Sequence, residues 1–190
     1  MLENITVSEY EKILENLKNN TFIKLNLLCN ISDKYSIKLS KALKINNTLT
    51  QLDLSYNNIG NKGMKYIINS LKLNTTLTYI DLSSNNINYN GIYSLYIFLI
   101  KNKTLNYLNL SYNNIGNKGL KYISNALKIN NTLNILKLIC NNINTNGIKY
   151  IINSLKFNSA LTKLNLSQNN ICDEGAILFS DFLKVNTTFN

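Results

Sequence analysis

The chain copies itself every 28 residues, and that period constrains its fold more than any other feature. Aligned on the leucine that opens LTQLDLSYNNIG at Leu49, the same register returns at Leu77, Leu105, Leu133 and Leu161. It extends back to Phe22 at a spacing of 27 and forward to Phe189 at 28. Each unit reads L-x-x-L-x-L-x-x-N-x-I, then a glycine (Gly63, Gly91, Gly119, Gly147, Gly175), an apolar stripe and L-K-x-N-x-x. The first unit has Tyr35 in the glycine's place and is one residue short. Six units cover residues 22–188 of the 190. Segments 52–77 and 108–133 differ at six of 26 positions, so a two-unit block has been copied.

Each position in the unit has a physical role. In L-x-L the alternation of period two makes a short strand, with Leu52 and Leu54 inward and their neighbours outward. The recurring asparagine (Asn30, Asn57, Asn85, Asn113, Asn141, Asn169) stands where the chain leaves the strand. Its amide can donate and accept toward turn backbones of adjacent coils that would otherwise be buried and unpaired. Met64, Ile67 and Leu71 then follow at helical spacing, as do Ile92/Leu95/Leu99, Leu120/Ile123/Leu127 and Ile148/Ile151/Leu155. One unit alone cannot bury that stripe, whereas six stacked units form a continuous core.

This pattern resembles the leucine-rich repeat family, and the long helical half resembles its ribonuclease-inhibitor-like subclass. The resemblance implies an α/β fold: a right-handed leucine-rich repeat solenoid, a horseshoe arc with a parallel β-sheet on the concave face and α-helices on the convex face. It implies no catalytic activity, and members mostly bind proteins. It carries over no partner, because partner contacts lie at the variable positions.

The ends read differently from the middle. Residues 1–21 are expected to form an N-terminal capping helix opened by Thr6-x-x-Glu9 or Ser8-x-x-Glu11, with Tyr10, Ile13, Leu14 and Leu17 on its apolar side. Residues 22–190 are expected to form six repeats plus the start of a seventh. The last strand, near Lys163–Ser167, would leave an unpaired edge, which suggests a fragment of a longer chain, a homodimer through the uncapped C-terminal end, or a partner there. No stretch approaches a membrane span, and residues 1–20 lack the apolar segment of a secretory signal. The chain is therefore expected to be intracellular, in the cytoplasm.

Composition narrows the chemistry. The chain has no His, Pro, Trp or Arg, 38 Asn, and 20 Lys against ten acids, for a net charge of +10. Without histidine the commonest general base and metal ligand are missing, so neither catalysis nor any cofactor or metal is expected. Part of the Asn, Lys, Ile and Tyr bias looks like AT-rich coding. Cys29, Cys140 and Cys172 are too few and too scattered for a disulfide framework.

Outward positions on a concave sheet would form columns. One runs Lys24, Gln51, Tyr79, Tyr107, Ile135, Lys163, and the next Asn26, Asp53, Asp81, Asn109, Lys137, Asn165. A third runs Leu28, Ser55, Ser83, Ser111, Ile139, Ser167, and a fourth Cys29, Tyr56, Ser84, Tyr112, Cys140, Gln168. The candidate binding residues are Gln51, Asp53, Tyr56, Tyr79, Asp81, Tyr107, Asn109, Tyr112, Ile135 and Lys137. Tyr56, Tyr79, Tyr107, Tyr112 and Ile135 would be the anchors, since tyrosine offers a large area with a polar tip. Asp53 and Asp81, the only acids between Asp33 and Asp173, would fix register on a protein partner. Tyrosine is also simply frequent here, with 12 in the chain.

The lysines recur mostly on the helical half (Lys62, Lys65, Lys72, Lys118, Lys121, Lys128, Lys149, Lys156), where a solvated outer face belongs. The alternative is electrostatic binding of nucleic acid or an anionic membrane through this convex face. Nucleic acid is disfavoured by the lack of arginine, the residue suited to bidentate base and phosphate contacts. Gly60-Asn-Lys-Gly63 and Gly116-Asn-Lys-Gly119 lack the remainder of a phosphate loop and read as turns into repeat helices.

Overall fold

The computed structural model describes residues 5–189. Seven helices alternate with six strands of three residues each: α1 (Val7–Lys18), β1 (Lys24–Asn26), α2 (Asp33–Leu43), β2 (Gln51–Asp53), α3 (Gly60–Ser70), β3 (Tyr79–Asp81), α4 (Tyr89–Leu99), β4 (Tyr107–Asn109), α5 (Gly116–Leu127), β5 (Ile135–Lys137), α6 (Thr145–Leu155), β6 (Lys163–Asn165) and α7 (Asp173–Val185). The strands form one parallel sheet in the order β1 to β6. Every strand joins the next through a helix, as parallel pairing requires. The result is an α/β solenoid with the sheet on its concave side and helices behind.

The 28-residue period sets the register. Leu25, Leu52, Ile80, Leu108, Leu136 and Leu164 stand opposite one another across the sheet. Together with the stripes of α3 to α6 they build one core along the whole arc, in which Leu52, Leu54, Met64, Ile67, Leu95 and Ile123 are fully buried. In the first coil the strand repeats at 27 but the helix at 28, since Asp33 and Asn61 hold equivalent amides. The missing residue is therefore in the β1–α2 turn.

The asparagine ladder forms as its chemistry requires. Asn113 accepts from the backbone amides of Asn85 at 3.1 Å and Ile87 at 2.9 Å, and donates to Leu82 and Leu110 carbonyls at 3.0 Å. Asn57, Asn85, Asn141 and Asn169 repeat the arrangement. Asn30, expected as its first member, does not: Asn57 accepts from the Cys29 and Ile31 amides as Asn113 does from Asn85 and Ile87, so Cys29 holds that place and Asn30 turns left-handed at φ 53°. A second ladder runs at the other end of the helices. Asn130 accepts from the Thr132 and Leu133 amides at 3.1 and 2.9 Å and donates to the Leu99 carbonyl at 2.8 Å. Asn46 and Asn158 do the same, and Asn74 and Asn102 accept in the same way. Two buried amide rows per arc satisfy the backbone where each helix begins and ends.

Gly147 shows why a glycine opens each helix. A Cβ there would sit 2.6 Å from Asn117 Oδ1 and 2.7 Å from Ile143 Cγ2. In the first coil the preceding helix is the cap α1, and Tyr35 fits, its ring edge-on to Tyr10 at 4.9 Å. Tyr10 donates its hydroxyl to the Tyr35 carbonyl at 2.9 Å. Of the two possible capping boxes, Thr6 with Glu9 is the one formed. Residues 1–4 of the expected cap and residue 190 of the expected seventh unit lie outside the described residues. Among the described residues no strand pairs with the outer edge of β6, and Leu164, Leu166, Ile171, Phe179 and Leu183 line an open end with a cleft of about 410 Å³. No helix among them is long and apolar enough to cross a membrane.

Candidate functional site

The first two columns read from the sequence are columns of the sheet, whereas Cys29 leaves the fourth, because the residue missing after β1 moves it to the ladder position. Gln51, Tyr79, Tyr107 and Ile135 stand opposite one another on β2 to β5, as do Asp53, Asp81, Asn109 and Lys137. Register alone thus brings eight of the ten candidate residues onto one face. The Tyr79 and Tyr107 rings stack with centroids 4.2 Å apart and planes within 10°. Lys137 Nζ lies 5.5 Å from the Tyr107 centroid, within cation–π range. Burial, with help from the Asp81 charge, pushes the Tyr79 phenol well above its ordinary value, so it stays a neutral donor.

Two expectations need correction. Asp81 was expected to face outward with free oxygens; it is only 7% exposed. Its Oδ1 accepts from the Ser83 amide at 2.8 Å and hydroxyl at 2.6 Å, and its Oδ2 from Asn109 at 2.7 Å. A short carboxylate beside a turn satisfies nearby donors before it reaches solvent. The serine column was likewise expected outward, but Ser55, Ser83 and Ser111 are buried. Ser111 donates to Asn109 at 2.7 Å as Ser83 does to Asp81. Asp53 is half-buried and caps the Ser55 amide through one oxygen at 2.9 Å.

Tyr56 and Tyr112 complete the face from its rim, where the chain turns toward the helices. They stand in left-handed backbone conformation, as do Ser84, Cys140 and Gln168, with φ between 51° and 55°. That region is strained for a bulky side chain. It is imposed because each amide continues the ladder beyond its strand: Tyr56 donates to Ser83 at 2.9 Å and Tyr112 to Ile139 at 2.7 Å. Both rings are exposed, and Tyr112 reaches over the Cys140 position to donate to Gln168 Oε1 at 3.2 Å.

The leucine-rich repeat family model matches residues 46–67, 73–95, 101–124 and 157–180. With six coils in one register and an asparagine ladder through them, this decides the family. The chain is a leucine-rich repeat protein. The coil around β5, which the family model does not mark, pairs with β4 and β6 as the others do. Among solved structures, the leiomodin-1 actin-binding site 2 chain matches with a TM-score of 0.59 at 21% identity, covering 95% of this chain and 89% of that one. The tropomodulin C-terminal domain of Caenorhabditis elegans matches with a TM-score of 0.59 at 12% identity, covering 93% and 92%. At these identities the likeness is one of fold. No curated protein sequence matches the chain significantly. Leucine-rich repeat domains are generally protein-interaction modules and typically non-catalytic. Among the described residues no group of His, Cys, Asp or Glu is arranged to hold a metal ion.

The helical side holds a cluster that the repeat pattern conceals. Tyr93 packs edge-on to Tyr122 at 5.4 Å, Tyr96 lies 6.1 Å from Tyr122, and Lys118 and Lys121 sit over the Tyr89 and Tyr150 rings. The absence of any charged residue from α4, between two lysine-bearing helices, was the available signal.

Proposed function

We propose that this leucine-rich repeat protein is a non-catalytic module that binds a protein partner through its concave sheet. The carrying observation is the stacked Tyr79–Tyr107 pair, flanked by Lys137 and Ile135 on one side and by Gln51 and Asp53 on the other. The fold does not need aromatic rings at these positions, since Lys24 and Lys163 occupy the same column at either end. Six strands at about 4.8 Å make a face about 24 Å across. Tyr56 and Tyr112 would close over the partner from the rim. Asp53 is the acid available to a basic group, while Asp81 supports the face from beneath. The leiomodin-1 chain is an actin-binding site; at 21% identity that makes actin one protein to test.

The test is a Tyr79→Ala, Tyr107→Ala double variant in affinity capture from the native cytoplasm, read by mass spectrometry. Partner capture should be lost, with melting temperature within a few degrees of wild type. Undiminished capture of the same partner refutes the concave-face assignment.

The open end supports a second reading, self-association of two copies through β6. Leu164 and Leu166 are half-buried there, against a fully buried Leu136 and Leu138 one coil earlier. Light scattering should give a dimer mass that a Leu166→Lys variant reduces to monomer; a monomer at high concentration refutes it.

A further inference from the structure

The turn after each helix carries a regularity that neither the core nor the concave site explains. In L-K-x-N, the leucine is buried in the first five units and the asparagine joins the second ladder, so the x position is free to be polar. It is Ile45, Leu73, Ile129, Phe157 and Val185, with Lys101 in the remaining coil. These five side chains are 57%, 93%, 58%, 73% and 80% exposed. Large apolar residues at such exposure are unremarkable singly, but five at one repeat position form a row along one edge of the solenoid.

The residue before each is also constant: Lys44, Lys72, Lys128, Lys156 and Lys184, all exposed. Only Lys184 among them has an acidic partner among the described residues, Asp181 at 2.7 Å. Lysine at a helix C-terminus complements the helix dipole, which accounts for the charge but not for the apolar neighbour.

We infer that this edge is a peripheral membrane-binding surface for anionic lipid, with the apolar row entering the headgroup boundary and the lysines on lipid phosphates and carboxylates. Three features favour a bilayer over another macromolecule. The apolar side chains stand on separate coils about 10 Å apart, each beside a lysine, so they form no contiguous dry centre of the kind a protein interface needs. A bilayer receives isolated apolar side chains one at a time, and anionic lipid attracts each nearby lysine. Four of the five are aliphatic and offer no ring for a nucleobase to stack on. The edge lies apart from Tyr79 and Tyr107, so the surface does not depend on the concave-face reading.

Co-sedimentation with vesicles tests this. The protein should pellet with phosphatidylcholine vesicles containing phosphatidylserine and not with phosphatidylcholine alone. Leu73→Ser with Phe157→Ser should weaken binding about tenfold or more, and Lys72→Gln with Lys156→Gln by a similar factor. All four positions are exposed, so unchanged melting temperatures are expected, and Tyr79→Ala with Tyr107→Ala should bind vesicles as wild type does. The inference is overturned if phosphatidylserine vesicles do not bind, or if the Leu73/Phe157 variant binds them undiminished. It is equally overturned if single-stranded oligothymidylate binds more tightly than the vesicles with the same residue dependence.

Discussion

Asn109 donates its side-chain amide to Asp81 Oδ2 at 2.7 Å across two strands, and this bond separates two aspartates that look alike in the repeat. Asp81 has both oxygens occupied and is buried; Asp53, directly opposite on β2, caps a single amide and is half-exposed. Removing a buried acceptor leaves its donors unpaired, so Asp81→Ala should cost about 2–3 kcal/mol. Asp53→Ala should cost about 1 kcal/mol or less, since water can replace its single contact. Urea denaturation of the two variants measures both, and equal losses would contradict the assignment.

Gly147→Ala sets two effects against each other. Alanine gains about 1 kcal/mol of helix propensity over glycine. The added carbon would meet Asn117 Oδ1 at 2.6 Å, Ile143 at 2.7 Å and Leu120 at 3.2 Å, in a close-packed interior. Overpacking there should win, for a net loss of about 1–3 kcal/mol, readable as a lowered melting temperature.

Two of the 12 tyrosines should titrate late. Burial holds the Tyr10 phenol above its ordinary value, and burial with the Asp81 charge does so at Tyr79. Below about pH 10 both phenols are neutral folded or unfolded, and this contribution to stability is complete. Above it the unfolded chain ionises first, so stability falls as pH rises toward the folded values. Ultraviolet titration should show a high-pH phase that Tyr10→Phe and Tyr79→Phe each reduce; a single phase near pH 10 would refute it.

Cys172 and Cys29 should react in a set order. The Thr145 hydroxyl, 2.9 Å away, and the amides at the start of α7 lower the Cys172 thiol, which is exposed. Burial raises the Cys29 thiol. Alkylation followed by peptide mapping should modify Cys172 before Cys29, with the gap widest below the ordinary thiol pKa of about 8.5, where Cys172 keeps the larger thiolate share. Faster modification of Cys29 would overturn the order.

What the sequence by itself determined is everything that follows from the period: which leucines face inward, the strand register, the asparagine ladder at Asn57 to Asn169, and the place of Tyr35 where other coils need glycine. These follow because each coil packs only on its neighbours, so one rule applied every 28 residues specifies the stack. The tertiary structure alone decided what each column member does with its side chain. Asp81 turns to Ser83 and Asn109 while Asp53 stays reachable, Tyr79 and Tyr107 stack, and Tyr93 meets Tyr122 across two helices. Those outcomes depend on rotamers and on partners 28 residues away, which a pattern of residue types does not encode. The exposed row from Ile45 to Val185 lay open in L-K-x-N, but only the solvent exposure of the x position distinguishes it from one more buried stripe.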